Sequence, residues 1–323
     1  MSFQRRLLAT ATLGILAAPR IARSQAFPGR PLRLVVPFPP GGASDIIGRQ
    51  LAASMSETLG QPVIVDNRPG ANTAIGAETV ARAAPDGLTM LLVTSTTLAI
   101  APHLPTPLPY RVDQFAQVGL VVKMPFVMVS SPLYPPATMQ AVIADARARP
   151  GAVNFASHGR GGSAHLVGEL WRMAAGVDIV AVHYTGNAPA TVDLIANRVQ
   201  LMFDGTPTAL AASRSGQLRA LAIMSDRRSP AAPDLPTMAE AGLPGVTAYS
   251  WYGLSVPAAT PEPIVARLDA AVTRAVADPT VRARFIADGL EPGDLDRAGF
   301  NRMVSAESET WRRVITSIRG QIE

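Results

Sequence analysis

Two hydrophobic periods alternate along this chain. Short apolar, β-branched runs predict buried strands, and stretches with an apolar residue every three or four positions predict amphipathic helices. Leu32–Phe38 is the first strand. Pro39-Pro40-Gly41-Gly42 stops it, and Ser44-Asp45 opens a helix with Ile47, Leu51, Met55 and Leu59 on one face and Gly60 and Pro62 at its end. A strand at Pro62–Asp66, a helix at Thr73–Ala84 and a strand at Leu88–Ser95 follow. Phe115–Ser130 is long for one strand and reads as two, joined near Lys123-Met124-Pro125, where the chain passes between domains.

A second set repeats the layout, with strands at Val153–Ser157, Ile179–Tyr184, Val199–Asp204 and Leu218–Ser225. Its helices are Thr138–Arg149, Ser163–Ala175, Asn187–Asn197 and Thr208–Ser215. Arg228–Gly245, rich in Pro, Ala and Gly, reads as a connecting loop with one helical turn. Tyr249–Val256 is a strand that crosses back, and Pro261–Ala277, Thr280–Asp288 and Asp296–Ile318 are helices. The order predicts an α/β fold with parallel strands. The middle of the chain reads as one domain inserted into another: a first lobe from 27–123 and 250–323, and a second from 124–249.

Residues 1–26 carry the pattern of a secretory leader. Arg5-Arg6 precedes the apolar stretch Leu7–Ala18, which is too short to span a bilayer, and Ser24-Gln25-Ala26 is a small-x-small cleavage site. That predicts a periplasmic protein cleaved near Ala26. The leader holds four of the 29 Lys+Arg and none of the 24 Asp+Glu, so the formal charge of +5 falls to 25 against 24, or +1, in the mature chain. The remaining cations are scattered and aromatics are few, which argues against nucleic-acid binding. Without cysteine there is neither a disulfide framework nor a thiolate metal site.

Candidate chemistry gathers at the glycine turns. A strand, a glycine turn and a helix N-terminus together present free backbone N–H groups, an anion-holding arrangement that needs no cationic side chain. Gly41–Ser44 forms one such junction. His158-Gly159-Arg160-Gly161-Gly162-Ser163 forms a second, read as an anion cradle with the Ser163 hydroxyl or as a plain tight turn. Its Gly159-x-Gly161-x-x-Ala164 spacing only superficially matches a dinucleotide fingerprint, because the one acid at the right distance, Asp178, precedes its strand. Tyr184-Thr185-Gly186-Asn187-Ala188-Pro189 is the third. There Tyr184 either donates its hydroxyl to a ligand or packs in the core. Asp204 either orients a backbone amide, binds a ligand amine or caps a turn. His103, His158, His165 and His183 lack metal-ligand spacing, and no Gly-x-Ser-x-Gly elbow occurs, so no cofactor or metal is expected.

Ordered blocks from Pro31 to Trp311 resemble one family. They include RLVVPFPPGGASD, PVIVDNRPGA, AAPDG, VNFASHGRGGSAHLVGEL, YTGNAPATVDL, FDGTPTAL and SWYGLSVPAATP. The chain resembles the extracytoplasmic receptors of tripartite tricarboxylate transporters, the Bug receptors. The resemblance implies a two-lobed, type II-like periplasmic-binding-protein fold of the Venus-flytrap kind, with a small organic carboxylate in the interlobe cleft and membrane permease subunits as partners. By that resemblance Phe38, Pro40, Gly41, Gly42, Ser44 and Asp45 belong to the first-lobe carboxylate loop. Gly161, Gly162, Ser163 and His165, and Tyr184, Thr185, Gly186 and Ala188, belong to the second-lobe loops. Asp204 lies beside the cleft, and Thr94 and Ser157 complete the expected ligand-binding set. The chain departs from the family at Asn72-Thr73-Ala74, where more glycine is usual, and at Ala101-Pro102, where Asn often precedes the proline. An exported enzyme acting on a small carboxylate and a ligand-sensing subunit for a membrane sensor kinase are the rival readings.

Overall fold

Two half-sheets share one long strand. The structure is a computed structural model that describes residues 27–317. The leader read at residues 1–26 and the last residue of the expected C-terminal helix lie outside the described residues.

In the first part of the chain, β1 (Leu32–Val36), α1 (Ala43–Leu59), β2 (Val63–Asn67), α2 (Ala74–Ala81) and β3 (Thr89–Thr94) lead into β4 (Phe115–Ser130). The middle contains α3 (Met139–Ala148), β5 (Val153–His158), α4 (Ser163–Ala175), β6 (Ile179–Tyr184), α5 (Asn187–Ile195), β7 (Leu201–Gly205), α6 (Thr206–Arg214) and β8 (Arg219–Ile223). The chain returns through β9 (Tyr249–Pro257) to α7 (Glu262–Ala277), α8 (Pro279–Ala287), β10 (Glu291–Pro292) and α9 (Arg297–Ser317).

The apolar stripe read on the first helix is its buried face: Ile47, Leu51 and Met55 are fully buried and Leu59 nearly so. Gly60, at φ 68°, terminates α1 in the left-handed conformation and returns its N–H to the Ser56 carbonyl. In the second lobe, Trp171 of α4 packs against Phe203 of β7, while Gly168 leaves room for the Phe155 ring. Thr96–Ile100 and Ala101–His103, after β3, form short irregular helical turns that the apolar pattern did not announce.

Two expectations are corrected. The sheet is mixed, not parallel throughout. β1 pairs in parallel with β2 and β3, and β5 with β6 and β7, but β9 and β4 run antiparallel to their neighbours. Phe115–Ser130 is also one strand of 16 residues rather than two. Its Phe115–Pro125 stretch pairs with β9, and its Phe126–Ser130 stretch pairs with β7 and β8. The change of partner, not a break in the strand, carries the backbone from one half-sheet to the other. An antiparallel strand needs no helical crossover, which is how a single segment serves both sides. Each side has its own core, with Leu34, Ile47 and Leu254 buried in one and Phe126, Phe155 and Trp171 in the other. The Arg228–Gly245 loop contains turns but no helix, and it is tied to β8 by Ile223 N–H to Pro236 O and Met238 N–H to Ile223 O.

Candidate ligand-binding cleft

The C-terminal ends of β1, β5, β6 and β7 face a shared cavity of about 370 Å³. In the first lobe, Gly41 has φ 83°, a conformation that disfavours any side chain. Its N–H donates to Asp45 Oδ2 at 3.0 Å. Gly42 is the extended N-cap of α1, and its carbonyl accepts the amides of Asp45 and Ile46 at 3.0 and 3.1 Å. The amides of Gly42, Ala43 and Ser44 have no partner among the described residues, and all three residues line the cavity. Asp45 does not. It is buried beneath the loop, where its Oδ1 accepts from Asn67 Nδ2 at 3.0 Å and its Oδ2 accepts from Arg49 Nε at 3.0 Å. Burial alone would raise its pKa, but the hydrogen bonds from Arg49, Gly41 and Asn67 outweigh that and hold the carboxyl below its ordinary value.

The second-lobe loop repeats this construction with different chemistry. Gly161 has φ 73°, and its N–H donates to Nδ1 of His165, again four residues on, at 3.0 Å. His165 is buried, and burial, with the charges of His183 and Arg160, pushes it down to about 4. The ring is therefore neutral at pH 7, and the Nδ1 lone pair accepts the Gly161 amide. The Gly162 amide is satisfied by Gly159 O at 3.3 Å. Gly159 and Ser163 are the lining residues of this turn whose amides have no partner among the described residues.

Asp204, at the end of β7, is buried and holds three donors. They are Asn187 Nδ2 at 3.0 Å, its neighbour's Gly205 N–H at 2.8 Å and Thr208 Oγ1 at 2.5 Å. It thus orients a backbone amide and braces the start of α5 and α6, two of the roles its position suggested. Tyr252 of β9 closes the floor, its hydroxyl 3.1 Å from Ser44 Oγ. Burial, with the Asp204 charge adding, pushes its phenol up to about 12, so it remains an O–H group at neutral pH.

The two sides touch across the cleft. Asn72 Nδ2 donates to the Arg160 carbonyl at 2.5 Å. A Cβ on Gly186 would lie 3.0 Å from Pro39 Cγ, and one on Gly161 would lie 2.8 Å from Leu104 Cδ2. Ala71, Asn72 and Thr73 are three successive non-glycine residues at positive φ, of 47°, 49° and 77°. That strained run holds Asn72 against the other lobe.

Of the residues singled out from the sequence, Phe38, Pro40, Gly42, Ser44, Gly162, Ser163, Tyr184, Thr185, Gly186, Ala188 and Asp204 line the cavity. Gly41, Asp45, Thr94, Ser157, Gly161 and His165 do not. The first two and the last two of these shape the glycine turns. Thr94 is buried with its hydroxyl 3.3 Å from Thr97 Oγ1, and Ser157 donates to Gly159 O at 3.1 Å. The Tyr184 hydroxyl donates to Asp193 Oδ2 at 2.9 Å, so it serves α5 and not the cleft. Thr96, Met124, Phe126, Ser250 and Tyr252 also line the cavity, although the sequence reading did not place them there; so do Asn72 and Thr73, from a segment that reading brought near the cleft, and His158, from the second glycine junction. Asn72 carried a signal, as a polar residue in a stretch where family members have glycine. Tyr252 and Ser250 carried none, because both lie in an ordinary apolar strand. No Arg or Lys lines the cavity, and no group of three or more metal-ligating side chains occurs among the described residues.

Two lobes, separate cores, one long antiparallel strand shared between them and a cavity at the ends of their strands define a periplasmic binding protein of the two-domain α/β class. The chain belongs to the tripartite tricarboxylate transporter receptor family, whose model matches residues 47–319. It is 38% identical over 307 residues to the protein BugT of Bordetella pertussis, covering 94% of this chain and 93% of that one. Among solved structures it is similar to an R. palustris protein with adipate (33% identity, 90% of this chain and 97% of that one, TM-score 0.87). It is also similar to MatC from Rhodopseudomonas palustris with bound malate (35% identity, 90% and 100%, TM-score 0.83). A third similar structure is the periplasmic binding protein BugD (33% identity, 92% and 99%, TM-score 0.85).

Proposed function

We propose that this protein is an exported receptor, cleaved near Ala26, that captures a small organic carboxylate between its lobes and delivers it to a tripartite tricarboxylate-type permease without chemically changing it. The lobes are assigned as 27–123 with 250–323, and 124–249. The observation that carries the reading is the set of unpaired amides on Gly42, Ala43 and Ser44 at the N-terminus of a 17-residue helix, on the wall of a cavity lined by no Arg or Lys. Such a terminus favours an anion. The docking point is narrower than the sequence alone implied: the Gly41 amide belongs to Asp45, so the ligand carboxylate is placed on the next three residues.

Hydrogen bonds to a charged group contribute roughly 1.5–3 kcal/mol each. Micromolar affinity corresponds to about 8 kcal/mol. Three or four such bonds therefore suffice once ordering costs are subtracted, with no cation to hinder release. Relatives solved with adipate and malate support the ligand class. A ligand that touches both lobes only when they are closed shifts the hinge equilibrium toward closure, the form a permease would recognise.

The test is thermal stabilisation of the mature protein against mono-, di- and tricarboxylates, acidic amino acids, aromatic acids and neutral controls. Saturable stabilisation by one carboxylate set is expected. Stabilisation by neutral or cationic compounds alone overturns the reading, and turnover of the bound compound replaces the receptor with an enzyme.

A further inference from the structure

The helix α4 of the second lobe buries residues against two different partners. Ala164, Val167, Trp171 and Ala175 pack into that lobe's own core, with Phe155 and Phe203. Leu166 does not. It is 1% exposed, yet the apolar cluster it belongs to is otherwise built from first-lobe residues: Ile100 and Ile315, with Leu104, Trp311 and Val314 packed against them. An apolar side chain that lies off the core stripe of an amphipathic helix faces water unless something else covers it. Here the other lobe covers it.

The receiving face is fixed to the first lobe. Ile100 and Leu104 come from the short irregular turns after β3, and Trp311 and Ile315 lie one turn apart on α9. His103 Nε2 lies 2.8 Å from Ser308 Oγ, which ties those turns to α9. Glu307 of α9 accepts from the indoles of both Trp251 on β9 and Trp311. Leu104 also presses on the second-lobe glycine turn, 2.8 Å from where a Cβ on Gly161 would lie. None of Ile100, Leu104, Leu166, Trp311 and Ile315 lines the cleft cavity. The lobe-to-lobe contact they make therefore needs no atom of a ligand.

We infer that Leu166 is a positioning residue: seated in this first-lobe pocket, it holds the lobes together from outside the cleft, so that the protein populates the closed form before a ligand adds its own contacts. Opening the lobes exposes Leu166, Ile100 and Ile315 to water, and exposing one fully buried leucine shifts an equilibrium by roughly tenfold to a hundredfold. Closure in turn carries the Ser163 amide, three residues before Leu166 on the same helix, up to the cavity. The inference deepens the receptor reading, and its meaning for ligand capture rests on that reading. Apparent affinity scales with the fraction of receptor in the binding-competent form, and Leu166 sets that fraction without touching the ligand.

Small-angle scattering of the mature protein, refolded from denaturant to remove any bound compound, tests this with no ligand present. Leu166→Ala is expected to raise the radius of gyration above that of the wild type, through a shift of about tenfold in the open-to-closed ratio. Its circular dichroism should stay unchanged, because Leu166 lies outside the second-lobe core. Ile315→Ala, on the opposite lobe, is expected to expand the protein in the same way. Leu166→Met, apolar and close in volume, is expected to scatter like the wild type. Coincident profiles for the wild type and the folded alanine variants overturn the inference, and so does a Leu166→Met profile as expanded as that of Leu166→Ala. If one alanine variant does not fold, the other decides. Loss of folding in both assigns these side chains to the lobes' own cores and overturns the inference as well. None of these outcomes touches the receptor reading, which stands or falls with the carboxylate panel.

Discussion

The two glycine turns that face each other across the cleft are built to one plan with opposite electrostatics. In each, a left-handed glycine sends its amide to the side chain four residues on, and the next glycine caps a helix. In the first lobe the acceptor is Asp45, kept ionised by Arg49, Gly41 and Asn67. In the second it is His165, kept neutral by burial. The first turn leaves three consecutive cavity-lining residues at a helix start with free amides, and the second leaves two separated ones, at Gly159 and Ser163. The first is thus equipped to hold the anion. The second carries the packing contacts, with Leu104 and Asn72 pressed on its glycines. The same backbone device serves as a ligand clamp in one lobe and as a closing face in the other, and the difference lies in which amides each loop spends on itself.

Alanine at the two left-handed glycines should separate these roles most strongly. At Gly41 a Cβ meets nothing within 4 Å, so Gly41→Ala should cost only the left-handed conformation, about 1–2 kcal/mol. At Gly161 the same strain is joined by a Cβ 2.8 Å from Leu104 Cδ2, and overpacking of this kind adds about 1–3 kcal/mol. Gly161→Ala should therefore weaken ligand binding more than Gly41→Ala, and shift small-angle scattering toward an open form. Equal losses would break the comparison.

Acid should sharpen it next. Unfolded, His165 titrates at its ordinary 6.5, and folded at about 4. Between these values the unfolded chain binds more protons, so stability falls as pH drops from 6.5 toward 4, by up to about 3 kcal/mol. The protonated ring also has no lone pair for the Gly161 amide. Asp45, with its folded pKa lowered, loses its contribution only as pH falls through and below the ordinary carboxylate value of 3.8. Denaturant melts from pH 7 to 4.5 should show this slope. His165→Asn, whose side-chain oxygen accepts without titrating, should flatten it.

Asn72→Gly keeps the left-handed backbone and removes the contact to the Arg160 carbonyl. A single neutral hydrogen bond is worth about 0.5–1.5 kcal/mol, so a roughly twofold to tenfold loss of affinity is expected by calorimetry, with little change in the melting of the ligand-free protein. The smallest effect should come from Arg49→Ala. Its side chain is 57% exposed, so its ion pair with Asp45 is worth at most about 1 kcal/mol, and the Gly41 and Asn67 donors should keep the first loop in place.

Legibility in the sequence followed locality. Ser163–Ala175 and Ile179–Tyr184 were read with the bounds they have, and α1 buries the stripe its spacing announced. The glycine turns were legible because conformation at a turn depends on adjacent residues. The use made of each amide was not. Gly41 and Gly161 read as donors to a ligand, and only the folded side chains of Asp45 and His165 show that both are already satisfied. Tyr184 was balanced between ligand and core by its position at a strand end, and Asp193 decided it. The crossing near Lys123-Met124-Pro125 was legible, but the continuity of β4 through it was not, because a continuous strand and two abutting strands have the same apolar pattern.

By itself, then, the sequence determined the succession of strands and helices, the glycine turns at their junctions and the family to which the chain belongs. These depend on short periods and on residues a few positions apart. Tertiary structure alone decided that Tyr252 reaches Ser44 from 208 residues away, that Asn72 meets Arg160 across the cleft, and that His158 Nε2 comes to 3.9 Å from Asp204 Oδ1. Those contacts arise when separate apolar faces pack and carry distant loops together, and no local period along the chain encodes the meeting.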